Sequence, residues 1–456
     1  MKAPRITLCL VVRDEAAELP GCLASARGAV DEVVVVDTGS VDGTPELARA
    51  AGAVVLARPW DDDFAAPRNM AARRATGDWL LLLDADERLA PGAAEGLRRA
   101  VERGGFEVGL VRLHNASAAT ATPAEVGAGP GRAGSPALLP RLVRNEGAPE
   151  WRGRIHENLG EWLRRRGGRR TAVEVDLVHY GALPSRRAAL GKAERNVALL
   201  RRAAAEAPDD VTPAGYLALE LIGLSRFEEA EAVVAAAWSR LSVQPPGRDL
   251  HRLALARGML ALRREDGVAA LQTAREASMA GGHPDLDYLE AAGLELEVLA
   301  GARPGRGGLE AALDALDAAE RRAAVEGPFD FLGLALPARL ALHRGTLLLA
   351  LDRPAEAARA FEAVLALEPS NPAAGAGRAE ALLGQGRAAD ALLALERWLP
   401  SVPGGWLTAA RAAEALGSPG EARLFLARVP AGLPPRHQAA LVALRARLGP
   451  PREQAP

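Results

Sequence analysis

Asp84 and Asp86 are the residues of this sequence best placed to do chemistry, because they follow directly on the apolar run WLLLL. Two carboxylates one residue apart at the end of a buried strand can share a hard divalent cation, leaving coordination positions open for phosphate oxygens. The plain alternative is a helix cap or a solvated turn. A second apolar run, EVVVV, ends in Asp37 and passes into TGSVDGT. A carboxylate there can accept hydrogen bonds from a nucleoside base or ribose, while the small residues let a ligand approach the backbone. Here the alternative is a strand-to-helix turn capped by Asp37 or Thr44, and Asp42 reads as a turn residue. A third run, ITLCLVV, delivers Arg13, Asp14 and Glu15. Arg68 and Asn69 begin or cap the helix leading to the acidic pair, where a guanidinium can grip a phosphate or simply sit exposed.

These side chains need a scaffold that carries several strand ends to one rim. Apolar runs at 6–12, 32–37, 53–57, 79–84 and 107–113 alternate with helix-like segments. Because the runs are apolar throughout rather than alternating, they predict parallel strands covered on both faces. Helix starts are marked by Thr44, Pro45 and Glu46 and by Pro91. The expected result is an open, mostly parallel α/β sheet, which binds ligands outside the carboxyl ends of its strands. The Gly/Pro/Ala/Ser stretch 116–136 reads as a mobile loop, a lid or slack chain. Residues 137–182 read as returning strands, with LLPRLVR, WRGRIHENL and TAVEVDLVHYG among them.

From about residue 186 the pattern turns wholly helical. Gly345, Ala357, Phe361 and Pro369 fit a helix-pair repeat of roughly 34 residues, the tetratricopeptide pattern, and Ala391 falls one period after Ala357. Segments 226–238, 266–274, 308–319 and 419–427 resemble second helices of degenerate repeats. The alternative is a generic Ala-rich bundle. A repeat solenoid offers a concave face for peptide or protein segments.

The 456 residues leave room for roughly two to four domains. With 49% hydrophobic and 25% charged residues and a net charge of -2, the composition excludes a disordered tail and a polybasic nucleic-acid binder. Lys2 and Lys192 are the only lysines among 56 basic residues. Either codon bias or a need for fixed, bidentate phosphate-binding cations accounts for that. Cys9 and Cys22 offer no disulfide framework, so a reducing, cytoplasmic setting is expected. No cleavable leader and no membrane span are expected, since the first apolar run is short and no uncharged apolar run reaches about 18 residues.

The ordered set LVVRDEAAELPGCL, DEVVVVDTGSVDGT, RNMAARRATGDWLLLLDADE and RGRIHENL resembles family 2 glycosyltransferases of the GT-A fold. In particular it resembles the branch fused to tetratricopeptide repeats, which includes peptide S-glycosyltransferases of bacteriocin pathways and relatives of lipopolysaccharide-core glucosyltransferases. The resemblance covers roughly residues 5–182. It implies a GT-A domain at 1–185, Rossmann-like with a mostly parallel sheet, followed by an all-α tetratricopeptide-repeat solenoid at 186–456.

The activity it implies is inverting transfer from a nucleotide diphosphate sugar, a UDP-sugar, with Mg2+ or Mn2+ bridging the diphosphate. On this chain Arg13, Glu15, Asp37, Arg68 and Asp84 would bind the nucleotide, Asp37 through the uracil or ribose. The metal set would be Asp84, Asp86 and His179. Many relatives carry a second acid directly after the first at strand two, where Thr38 stands here, a departure that bears on base recognition. The catalytic pair would be Glu157 and His156, with Glu157 favoured as the base, and a thiol acceptor would need little base strength. Arg152 and Arg154 could face the diphosphate, while Arg164, Arg165, Arg166, Arg169 and Arg170 form a solvated turn or dock an anionic acceptor or membrane surface.

The helical half would recruit a peptide, protein or glycan acceptor or a protein partner, or assemble the enzyme, a homodimer included. It would then be dispensable for donor chemistry beyond about residue 200. The competing class is a non-catalytic repeat scaffold whose α/β domain only binds a nucleotide or has degenerated. A nucleotidyltransferase fits less well, since the chain lacks a Gly-rich, lysine-bearing N-terminal loop.

Overall fold

The computed structural model describes residues 3–146, 149–181, 183, 192–241, 250–326, 333–399, 401–433 and 435–449. The chain forms two compact units, one of residues 1–293 with 318–335 and one of 294–317 with 336–456.

In the first unit eight strands form one sheet: β1 (Ile6–Val12), β2 (Glu32–Asp37), β3 (Val54–Ala57), β4 (Trp79–Leu83), β5 (Glu87–Leu89), β6 (Val108–Ala116), β7 (Arg132–Arg144) and β8 (Arg170–His179). Their order is β3-β2-β1-β4-β7-β6-β8-β5. The expected parallel, Rossmann-like arrangement holds for β1 to β4. Beyond β4 the sheet is mixed: β7 runs antiparallel to β4 and β6, β8 parallel to β6, and β5 antiparallel to β8. Continuous apolar runs belong to strands buried on both faces. Leu8 and Leu10 of β1 and Leu81 and Leu83 of β4 enter one core, while Cys9, Leu80 and Leu82 enter the core on the other face. The helices α1 (Leu19–Ala26) and α4 (Ala93–Arg103) pack on the first face. The second face is covered by α3 (Ala65–Arg74) and α6 (Gly160–Arg166), and α2 (Thr44–Ala50) follows β2.

Two expectations are corrected here. Residues 116–136 hold a helix, α5 (Pro123–Ala128), and the start of β7. Thr122 and Glu125 close a reciprocal capping box at its start, which gives the stretch regular structure despite its loop-like composition. WRGRIHENL is a loop rather than a strand, pinched by a single bridge between Arg152 and Asn158 and leading into α6.

Still in the first unit, α7 (Lys192–Glu206), α8 (Thr212–Gly223), α9 (Phe227–Leu241), α10 (Leu250–Arg263) and α11 (Gly267–Ser278) share one apolar core. The second unit holds the helix pairs α14 (Pro337–Ala350) with α15 (Pro354–Leu367) and α16 (Pro372–Gly384) with α17 (Ala388–Leu395), which follow α12 (Pro284–Leu299) and α13 (Gly305–Glu326) in the chain. Phe361 of α15 is 2% exposed. A Cβ on Gly345 or Gly377 would meet its ring at 2.7 or 2.5 Å, so the repeat needs glycine where the ring slots in. Ala357 and Ala391, one period apart, are both fully buried. Among the described residues no helix is long and apolar enough to cross a membrane.

Candidate functional site

The registers Val12↔Asp37 and Leu10↔Leu83 align the carboxyl ends of β1, β2 and β4 on one rim. The first two ends are stitched together. Asp14 N–H donates to Ser40 Oγ, Val41 N–H to Asp14 Oδ1, and Ala16 N–H to Asp42 Oδ2. Asp42 also accepts from the Thr44 hydroxyl, in keeping with its reading as a turn residue. Asp37 is buried, and its carboxylate accepts from the backbone N–H groups of Gly39 and Ser40. Thr38 is buried too, its hydroxyl donating to Val12 O at 3.1 Å, so the residue that stands in place of a second acid ties β2 to β1. Arg13 is exposed and pairs loosely with Asp14 at 3.9 Å. The backbone of Glu15 donates to Thr44 Oγ1.

Around β4 the charges converge. Asp84 Oδ2 lies 3.0 Å from Arg141 of β7, and Oδ1 lies 3.5 Å from Arg68 of α3. The same Arg141 nitrogen pairs with Glu87, which is 1% exposed and accepts the Asp84 N–H at 3.0 Å. Burial opposes ionisation of Asp84, but Arg141 and Arg68 hold its carboxyl well below the usual range. Burial, reinforced by the Asp84 charge, pushes Glu87 up. Arg68 also pairs with Glu157, bringing the favoured base candidate to the acidic rim.

Asp86 belongs to a different group. The pairings Glu87↔His179 and Asn115↔His179 set the end of β8 between β5 and β6. His179 Nδ1 lies 2.9 Å from Asn115 Oδ1; an amide oxygen only accepts, so Nδ1 carries a proton and Nε2 faces Asp86 Oδ2 at 3.7 Å. Burial alone would lower the His179 pKa, and the facing Asp86 carboxylate, with Glu87 and Asp84 beyond, raises it instead. A histidine oriented by an amide through one nitrogen, with the other beside a carboxylate, is a suitable metal donor.

Among the described residues no group of three or more His, Cys, Asp or Glu side chains could hold a metal by itself. Asp86 and His179 face each other, whereas Asp84 faces the two arginines. A Cβ on Gly181 would stand 1.9 Å from Asp86 Oδ2 and 2.7 Å from His179 Nε2. Gly181→Ala should therefore separate the pair and remove any stabilisation of the protein by Mn2+ with a nucleotide diphosphate. A thermal-shift titration checks this, and an unaltered Mn2+ response would show that the close approach is not needed.

His156 and Arg154 do not join the rim cluster. The His156 ring stacks on Tyr216 of α8 at 4.2 Å between centroids, and burial, helped by Arg252, lowers its pKa to about 4. Arg154, expected to face a diphosphate, instead forks onto Glu206 of α7 at 2.6 and 3.0 Å. Arg152 pairs with Glu150 and Glu161. Cys9 and Cys22 are buried and unbridged, and burial pushes the Cys9 thiol up to about 12. The sequence reading passed over Arg141, Glu87, Asn115 and Gly181. Only Glu87 had a local signal, standing directly after Asp86, since the other three reach the site through strand pairing and chain return.

Residues 7–149 match the family profile described as Glycosyl transferase family 2, and residues 342–406 match a tetratricopeptide repeat profile. A TPR repeat-containing protein of Synechococcus elongatus is 36% identical over 240 residues, which is 51% of this chain and 55% of that protein. An uncharacterized glycosyltransferase of Rickettsia felis is 35% identical over 86 residues, 19% of this chain and 30% of the other. The SPbeta prophage-derived glycosyltransferase SunS of Bacillus subtilis is 29% identical over 85 residues, 18% of this chain and 20% of the other. The match spans about half the length of the first relative and under a third of the other two. This chain thus carries an N-terminal glycosyltransferase family 2 domain and, behind it, tetratricopeptide repeats.

Proposed function

We propose that the protein transfers a sugar, with inversion, from a nucleotide diphosphate sugar to a peptide, protein or glycan acceptor. The observation that carries this reading is the convergence of Asp84, Arg68 and Glu157 at the rim where β1, β2 and β4 end, with the Asp86–His179 pair near enough for the Asp84 charge to act on His179. Asp37 shapes the pocket for the base and ribose of a UDP-sugar, and Arg68 lies where it can exchange its long contact with Asp84 for a phosphate oxygen. Asp86 and His179 would hold Mg2+ or Mn2+, which when bound neutralises charge on the departing diphosphate.

The acceptor hydroxyl or thiol attacks the anomeric carbon as its bond to the diphosphate breaks, and the bonding electron pair leaves with the diphosphate. Glu157, oriented by Arg68, takes the acceptor proton. His156 serves less well, because its ring is spent on the stack with Tyr216. The repeats bind the acceptor or a protein partner.

The test is a panel of nucleotide diphosphate sugars with Mn2+, read by release of the nucleotide diphosphate. One donor should turn over, and EDTA should stop it. No release from any donor, with no thermal shift by any nucleotide diphosphate, would favour a non-catalytic scaffold.

A further inference from the structure

The loop that brings Glu157 to the rim is built into the helices behind it. Three consecutive residues are engaged there. Arg154 forks onto Glu206 of α7, Ile155 packs against the core shared by α7 to α11, and His156 stacks on Tyr216 of α8 with the ring planes 15° apart. The fourth residue, Glu157, pairs with Arg68. This division depends on His156 holding a left-handed backbone, φ +54°. A non-glycine residue in that region is strained and persists only where its surroundings over-determine it. The Tyr216 ring stacks on the His156 side chain, and Arg252 lies over the same tyrosine at 5.2 Å.

The helices reach Arg68 as well. The Arg154 side chain donates to the Asp62 carbonyl, and its own carbonyl accepts the Phe64 N–H at 2.8 Å, just ahead of α3. One turn further on, Asn69 exchanges two hydrogen bonds with the backbone of Trp151, at 2.8 and 2.9 Å. Glu157 is thus set by a loop clamped at Glu206 and Tyr216, while α3, which carries Arg68, is held from the same loop by the backbone of Trp151 and Arg154, which neither clamp supplies.

We infer that Glu206 on α7 and Tyr216 on α8 are positioning residues that aim Glu157 at the reacting centre, so that this part of the helical region belongs to the catalytic apparatus. The inference rests on the proposed glycosyl transfer, with Glu157 as base. Tyr216 acts through His156.

The experiment uses the full chain, with donor turnover to water as the assay. Tyr216→Ala should lower kcat on the order of a hundredfold, the cost of a misplaced group, while donor KM stays within about twofold. Tyr216→Phe, which keeps the ring, should restore most of the rate. If Tyr216→Ala does not fold, Glu206→Gln carries the same test, with a fall in kcat at a kept donor KM. The inference is overturned if these variants turn over at the wild-type rate, if donor affinity falls in step with kcat, or if the Phe variant is as slow as the Ala variant. Wild-type protein inactive toward every donor would overturn the glycosyl-transfer reading and this inference with it; wild-type turnover that Tyr216→Ala retains would overturn the inference alone.

Discussion

Arg141→Met should destabilise the sheet domain by about 3–5 kcal/mol, the usual cost of leaving a buried charge without its partner. The Arg141 side chain is 11% exposed and one of its nitrogens serves both Asp84 and Glu87. Asp84 keeps 43% of its side chain exposed, so water takes over much of its solvation when the arginine goes. Glu87, at 1%, has no such recourse, and the cost falls chiefly on it. Methionine preserves much of the volume, so the loss reports charge rather than a cavity.

The pH dependence has a definite sign. Burial already raises Glu87, and Arg141 is the strongest opposing influence. A carboxyl raised above its unfolded value contributes stability that is fully present below that value and lost as pH climbs through the folded one. Without the arginine that loss is larger, so the deficit should widen between about pH 5 and about pH 8. Adding Glu87→Gln to Arg141→Met should return part of the stability at pH 8, since the two residues touch and their effects should not add. Thermal unfolding of wild type and the two variants at both pH values is the measurement. A single variant as stable as wild type, or a double variant no better than the single, would show that Arg141 does not neutralise Glu87.

How much of this was legible beforehand depended on how local each feature is. The bounds of β1 and β2 could be read directly because each is a continuous apolar run cut off by charged or small residues. The same logic put Asp37 and the Asp84–Asp86 pair at strand ends, where the rim forms. By contrast β5 has three residues and no period of its own; its pairing with β8 makes it a strand. The partnership of Arg141 with Glu87 spans 54 residues and requires β7 to pass beside β4, which no pattern in LLPRLVR discloses. The capping box at Thr122 and Glu125 is a local signal that the Gly/Pro/Ala/Ser composition of 116–136 masks.

The helical half illustrates a subtler limit. Repeat periodicity marks where helices start and which faces they bury, as the slot for Phe361 between Gly345 and Gly377 bears out. It also suggested that the half is a separable attachment. Periodicity carries no information about what docks on a helix from outside the repeat, and Arg154, Ile155 and His156 dock there.

Asp86→Ala should lower nucleotide-sugar turnover by about a thousandfold or more, since it removes a charged group from the place where leaving-group charge must be stabilised. The fold should survive, because besides the Asp86–His179 pairing a backbone bond ties Asp86 to the end of β8: the Tyr180 N–H donates to the Asp86 carbonyl at 3.0 Å, and that bond does not need the carboxylate. Activity alone does not separate loss of a metal donor from loss of shape. The decisive comparison is the stabilisation by a nucleotide diphosphate with and without Mn2+. Asp86→Ala should abolish the Mn2+-dependent increment and keep the metal-free one, because Asp37 and Arg68, assigned to the nucleotide, are untouched. His179→Ala should act on the same increment and no other, because His179 Nε2 faces the same carboxylate oxygen. Asp84→Asn should behave differently: its oxygens face Arg141 and Arg68, so its principal effect should be on domain stability and on the placement of Arg68 rather than on the response to metal. If Asp86→Ala retained turnover in Mn2+, or if Asp84→Asn erased the metal increment while Asp86→Ala kept it, Asp86 and His179 would not be the metal donors and the division of labour along DADE would have to be reversed.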